Sequence, residues 1–413
     1  MGNPTEPLLL RNTGKTVYIL GAGFSRPGGG LIMSTFGMEA FRYLKENYKE
    51  AGRAFARIIN DHRAICELLG LNVYNIEQLF SLVDMPGDEQ GVSLGIRRGL
   101  IRAILSAILE SFQRRCKEDG GGSEFGECVV PHHHVLSEFL TGDEKKCSHN
   151  FAWGACVYEA FICKILSDQN KPKRTIQSVD DLDTVITLNW DLLIERMIYD
   201  RFKNIKIFYG DGILNTDCQC IINKVPAKHE ELVKTILLLK LHGSIHWKKN
   251  GDGAAPTNPL NSGRPENNKT SKPLVSIIDG WENQDKTLIF AAETGDTLPM
   301  IFPTWRRESR DDDIFPHMAD MAIRHLRLAE KIVVIGYSMP ETDLYFRYLM
   351  ARGLEMAELP VVEVWDIQKE EAMQDKLATL FGRTAINRKR VTYFDKGLLG
   401  FVKSHPLSVE EIH

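Results

Sequence analysis

The chain has 413 residues, of which 43% are hydrophobic and 26% charged, and its formal net charge is −4. That length supports a full core and two or three domains in an ordinary globular composition. The negative charge argues against a surface built to coat nucleic acid, and no apolar run reaches the roughly 20 residues that span a bilayer.

The opening MGNPTEPLLLRN has no basic region and too short an apolar stretch for a signal peptide. Gly2 starts a myristoylation-like pattern, but Glu6 stands where that signal wants Ser or Thr. Val17 to Leu20 reads as a strand buried on both faces, closed by Gly21-Ala22-Gly23 and followed by a helical stretch at Met38–Tyr43. Strand, glycine turn and helix together present backbone N–H groups to a diphosphate, although a glycine turn without a ligand has the same local pattern. Ile76, Leu79, Phe80 and Val83 fall at helical spacing and read as core. Leu100, Ile101, Ile104, Leu105, Ile108, Leu109 and Phe112 form one apolar helical stripe. A glycine-rich connector at 117–127 separates this stripe from FAWGACVYEAFICKIL, a helix apolar almost all round. Strand logic returns at Thr184–Leu188 and in ILLLKLHGSIHW, and 250–285 is loop-like. Helices at 319–330, 343–355 and 370–381 then alternate with strands at 331–338, 360–366 and 390–394, the pattern of parallel strands with crossover helices.

The expected fold class is α/β, a Rossmann-like and mostly parallel sheet with a large helical insertion. Residues 1–45 and 181–395 make the discontinuous Rossmann-like domain, with a loop-rich insertion at about 250–298. Residues 46–180 make the helical insertion and 396–413 a C-terminal tail. The eight cysteines are scattered, which points to free thiols in a reducing, cytoplasmic compartment. Only Cys218 and Cys220 are close, no second pair completes a zinc site, and no metal is expected. His132–His134 lacks partners at ligand spacing and reads as a loop or helix start. The charges at 306–308 and 311–313 read as a solvated loop.

Five strands end in chemically suggestive residues: Gly-Ala-Gly, Leu-Asn-Trp-Asp, His-Gly, Gly-Tyr-Ser and Trp-Asp. In open α/β sheets, ligands bind outside those carboxyl ends. Arg26 occupies the third-glycine position of a dehydrogenase fingerprint, and the P-loop motif is absent, so neither nucleotide class fits.

Gly21-Ala22-Gly23-Phe24-Ser25, Thr187-Leu188-Asn189-Trp190-Asp191, Leu241-His242-Gly243 and Gly336-Tyr337-Ser338 resemble, in order, motifs of the sirtuins, the silent-information-regulator-type NAD-consuming enzymes. Leu188 departs from the glutamine of the deacetylases, the four-cysteine zinc module is missing, and the span before Asn189 is longer and helical. These departures look more like the sirtuin-like NADases of bacterial antiviral defence, including those that work beside a HerA-type ring ATPase. That resemblance implies NAD⁺ as substrate, hydrolysed to ADP-ribose and nicotinamide; a homo-oligomer is expected with it, and the composition adds the expectation of no membrane and no direct nucleic-acid contact. A protein deacylase and a non-catalytic NAD or ADP-ribose sensor are the alternatives.

Cleaving the nicotinamide–ribose bond develops positive charge at the anomeric carbon, while nicotinamide leaves neutral and needs no strong acid. Asn189 can place water with an amide that both donates and accepts, or can simply turn the chain. Asp191 can anchor that loop, bond the carboxamide, or cap the next helix. His242 can take a proton from a ribose hydroxyl or from water. His246 would share its face if the strand continued, and carries no assignment. Gly21, Ala22, Gly23 and Ser25 would contact the diphosphate and adjacent ribose, with Phe24 packing and Arg26 pairing with phosphate or lying in solvent. Gly336 and Ser338 would lie near the adenosine half. Asp366 would accept from a ribose hydroxyl, or be a plain turn residue.

Overall fold

A computed structural model describes residues 14–28, parts of 36–78, 155–249 and 314–405 apart from short gaps, and 275–277. The apolar stripe of 100–112, the connector at 117–127, His132–His134, the charges at 306–313 and most of the 250–298 loop lie outside the described residues.

β1 (Thr16–Leu20) is the centre of the molecule. Its Val17, Ile19 and Leu20 are wholly buried and Tyr18 nearly so, which is why an unbroken apolar run and not an alternating one encodes it. Burying each such side chain contributes about 1.5–3 kcal/mol before entropy is subtracted. β2 (Thr184–Thr187), β3 (Lys206–Phe208), β5 (Ile221–Ile222), β6 (Thr235–Lys240), β9 (Lys331–Ile335), β10 (Val361–Trp365) and β11 (Val391–Phe394) complete the sheet. The order is β11-β10-β9-β1-β2-β6-β3-β5, with every pairing parallel. This is the α/β arrangement the alternating pattern called for. Three short strands, β4 (Leu214–Asn215), β7 (Trp247–Lys249) and β8 (Val275–Ile277), form a second sheet in the order β4-β8-β7.

After β1 the chain continues on the β2 side, and it returns to the other side only at β9. β1 is therefore the topological switch point, where a crevice opens outside the strand ends. On one face the helix Ala155–Gln169 covers this centre, because its sequence offers no polar stripe to solvent. Phe161 meets Tyr18 edge-on at 5.4 Å and Phe24 at 5.0 Å between ring centroids. Tyr158 donates its hydroxyl to the Phe24 carbonyl at 2.8 Å, tying the glycine turn to this helix. Residues 397–404, at the start of the stretch read as a tail, form a helix (Gly397–Ser404) whose Leu398, Phe401 and Val402 are buried. Phe401 also meets the Tyr18 ring.

A buried polar cluster closes the opposite end of the sheet. Lys15 Nζ bonds the Asp180 carbonyl at 2.6 Å and His325 Nδ1 at 2.5 Å. Arg174 pairs with Asp183 at 2.8 Å, and Asp183 accepts the Thr16 N–H at 2.7 Å. Desolvation pulls Lys15 down to about 7, against the raising influence of Asp183 and Asp180. Desolvation also holds His325 well below the ordinary histidine range, with the Lys15 and Arg324 charges adding to it.

Candidate functional site at the carboxyl rim of the sheet

The glycines of the first turn approach another stretch of backbone. A Cβ on Gly21 would lie 2.6 Å from the Gly336 carbonyl oxygen, and one on Gly23 would lie 2.9 Å from the Gly336 Cα. Gly336 in turn has φ +62° and would place a Cβ 2.2 Å from the Phe24 nitrogen. Gly23 N–H donates to the Gly336 carbonyl at 2.8 Å, and Gly21 N–H to Ile335 at 3.1 Å. The loops after β1 and β9 are thus welded together at the switch point, and side chains are excluded from the weld. The next residues continue the strain, since Met339 is buried with φ +51°, a sparsely occupied region for a residue with a Cβ.

On the other side of β1, the Leu188 N–H donates to the Leu20 carbonyl at 3.0 Å, bringing the loop after β2 against the turn. Asn189 Nδ2 donates to the Gly21 carbonyl and to Ser25 Oγ, both at 2.9 Å. A carbonyl can only accept, so these partners assign the amide orientation and commit both amide protons. The acceptor Oδ1 is left on the opposite side of the amide. Ser25 is 2% exposed and donates to Asp191 Oδ2 at 2.6 Å. Asp191 Oδ1 accepts the Leu193 N–H at 3.1 Å at the start of the helix Leu193–Arg201. Asp191 therefore both anchors the Asn189 loop and supports the helix start.

β6 delivers the histidine. Thr187 pairs with Lys240, and the Leu241 N–H donates to the Thr187 carbonyl at 3.1 Å. Asn189 and His242 each follow this paired level by two residues, so they leave adjacent strands at the same height. His242 is buried, and its Nε2 lies 4.0 Å from Asp343 Oδ1. β6 ends at Lys240, so His246 does not continue its face. His246 is fully buried, with Nδ1 2.8 Å from Ser244 Oγ. Burial, with the Lys240 charge second, holds it well below the usual histidine range.

Phe24 packs against Tyr158 and Phe161, as its apolar ring demands. Ala22 lies in the turn helix, and Arg26 follows it, half-buried. Ser338 is half-buried, and its carbonyl accepts from Lys376 Nζ at 2.9 Å. Asp366 follows β10, where the Gly336 N–H reaches the Trp365 carbonyl at 2.8 Å. Its own Oδ1 accepts the Gln368 N–H at 2.9 Å, the bond of a turn residue. Gly21, Gly23, Ser25, Asn189, Asp191 and Gly336 thus form one bonded group with His242 at the adjacent strand end. Asp366 joins it only through the β10 backbone.

Two features of the rim escaped the sequence reading. Asp343 accepts the Phe346 N–H at 3.1 Å through Oδ1 and the Tyr337 hydroxyl at 2.9 Å through Oδ2. Its signal was an aspartate directly before the helical run Leu344–Gly353. Lys240 is 1% exposed and pairs with Glu195 at 2.8 Å, and its Nζ also bonds the Asp191 carbonyl. Tyr209 donates to the same Glu195 oxygen at 3.1 Å. A single charge inside TILLLK was the available clue, because a buried charge requires a partner.

No family model matches the chain, and no curated protein matches it. A solved structure of Sir2 in complex with the inhibitor EX-527, 2′-O-acetyl-ADP-ribose and a deacetylated p53 peptide is similar to it at 10% identity. The alignment covers 94% of this chain and 91% of that one with a TM-score of 0.32, a superposition too loose to carry weight beside the strand order itself. Among the described residues, no cluster of His, Cys, Asp and Glu is arranged to hold a metal, and no helix is long and apolar enough to cross a membrane.

Proposed function

We propose that the chain is an NAD⁺ hydrolase that cleaves the nicotinamide–ribose bond to give ADP-ribose and nicotinamide. The observation that carries this reading is the bonded group at the switch point, in which Asn189 is fixed by Gly21 and Ser25 at the height of His242. Loops from both halves of the chain meet there, where an open α/β sheet takes a dinucleotide. In this reading Asn189 Oδ1 accepts from the attacking water, and His242 takes its proton. The water oxygen bonds the anomeric carbon as the C–N bond breaks, and nicotinamide leaves with the bonding pair. The fixed amide supplies orientation without reorganisation during the reaction, which is where such sites gain most. Gly21, Ala22, Gly23, Ser25 and Arg26 lie on the diphosphate side, with Gly336, Ser338 and Asp366 toward the adenosine. The biological role proposed with this chemistry is NAD⁺ depletion in antiphage defence, by a cytoplasmic homo-oligomer restrained until a signal or a HerA-type ATPase partner releases it.

The test is nicotinamide release from NAD⁺ by the purified protein, alone and with its genomic neighbour's product, with and without an acetylated peptide. Release without peptide is expected, and Asn189→Ala and His242→Ala should each lower it by about 10²–10⁴-fold while ADP-ribose still binds. Turnover that requires the peptide would make the protein a deacylase. Dinucleotide binding with no release under any condition would make it a sensor.

A further inference from the structure

Asp343 lies on the β9 side of the switch point, yet its carboxylate faces a histidine delivered by β6. We propose that Asp343 is a positioning residue for His242, holding the imidazole with Nε2 toward its carboxylate so that Nδ1 is the atom that takes the proton. The proton-transfer role of His242 rests on the hydrolase reading, whereas the orientation of the ring does not.

The carboxylate cannot turn freely. One oxygen is held by the Phe346 N–H at the first turn of the helix Leu344–Gly353 and the other by the Tyr337 hydroxyl. Both groups are donors, and the helix N-terminus itself favours an anion there. Asp343 and the His242 side chain are 3% and 6% exposed, so solvent does little to screen the pair. The 4.0 Å separation is longer than a hydrogen bond and within reach of one small rotation. Such contacts are often loose in an enzyme without substrate and tighten in the complex. When Nδ1 gains the proton from water, the imidazolium keeps its Nε2–H facing a fixed negative charge, the division of labour seen wherever a carboxylate orients a catalytic histidine. Tyr337 belongs to the same Gly-Tyr-Ser segment that packs on Gly21 and Gly23, so the weld and the carboxylate are set by one loop.

The test uses Asp343→Asn on the full chain, because asparagine caps a helix as well as aspartate through Oδ1 and its Nδ2 can donate to the Tyr337 hydroxyl in place of the lost acceptor, while the charge is lost. Asp343→Glu is the conservative partner, restoring charge on a longer arm. The expected result is a fall in kcat of about 10–100-fold for the asparagine variant, with KM for NAD⁺ and ADP-ribose affinity within about twofold of the parent, and partial rescue by glutamate. In ¹⁵N-histidine-labelled protein, the neutral His242 ring should be the Nε2–H tautomer in the parent and a mixture of tautomers in the variant. Unchanged kcat together with an unchanged tautomer overturns the proposal. A tautomer shift in a protein that releases no nicotinamide upholds the orientation and overturns the hydrolase reading alone. Losses in KM and ADP-ribose affinity that match the loss in kcat would make Asp343 a helix cap only and overturn it.

Discussion

Replacing Gly336 by alanine tests the weld between the two loops. Two costs follow from the geometry. The backbone holds φ +62°, and a residue with a Cβ costs about 1–2 kcal/mol in that region. The new Cβ would also stand 2.2 Å from the Phe24 nitrogen and 2.4 Å from the Gly23 carbonyl carbon, both backbone atoms that cannot swing aside. Relieving that clash means separating the loops, an overpacking cost of about 1–3 kcal/mol. The Gly23–Gly336 hydrogen bond would be lost with it, for about 1 kcal/mol more. Gly70 provides the control, since its φ is +66° and nothing lies within 4 Å of its virtual Cβ. The first cost is common to both variants and the second belongs to Gly336 alone. Gly336→Ala should therefore lose about 2–4 kcal/mol more than Gly70→Ala, a large fraction of the 5–15 kcal/mol typical of a folded domain. Urea unfolding of the two variants, compared at equal m-values, measures the difference. A gap under about 1 kcal/mol would refute the account of these glycines as a backbone weld.

Stability should also depend on Lys15. Below about pH 7 the lysine is charged in both the folded and unfolded chain, whereas between about 7 and 10.5 only the unfolded chain holds the proton. Stability contributed by this group therefore rises with pH across that window, by at most about 1.4 kcal/mol per unit. Lys15→Met should flatten the profile in urea melts at pH 7, 8 and 9, and an identical slope in parent and variant would refute the assignment. Lys240→Met strands the buried Glu195 carboxylate and should cost about 3–5 kcal/mol, with most of the loss recovered in Lys240→Met/Glu195→Leu. Additive losses in that double variant, read from chemical denaturation, would count against a coupled pair.

The C-terminal half of the sheet was legible because β9, β10 and β11 alternate with helices long enough to show a period. β3 and β5, at three and two residues, are too short to carry any period. The helix Gly397–Ser404 lay inside the stretch read as a tail, because its 8 residues, two of them glycines, are too few to show a helical period. The same distinction runs through the rim. Gly21, Asn189 and His242 announce themselves by standing at strand ends. What Gly21 and Gly23 approach is another strand's loop, far along the chain, and no local pattern encodes that. Asp343 and Lys240 likewise matter through partners on other elements, His242 and Tyr337 for one and Glu195 and Asp191 for the other. A lone aspartate or lysine reveals its identity, and only the fold reveals its neighbour.

The central place of β1 makes the chain an unusual object to shorten. Among the described strands, β2 and β9 are joined only through β1, so a fragment beginning after Leu20 would carry two further raw hydrogen-bonding borders beside the edges at β11 and β5. Borders of that kind recruit strands from other molecules. Trimming the front of this protein would thus favour association between copies of the shortened chain.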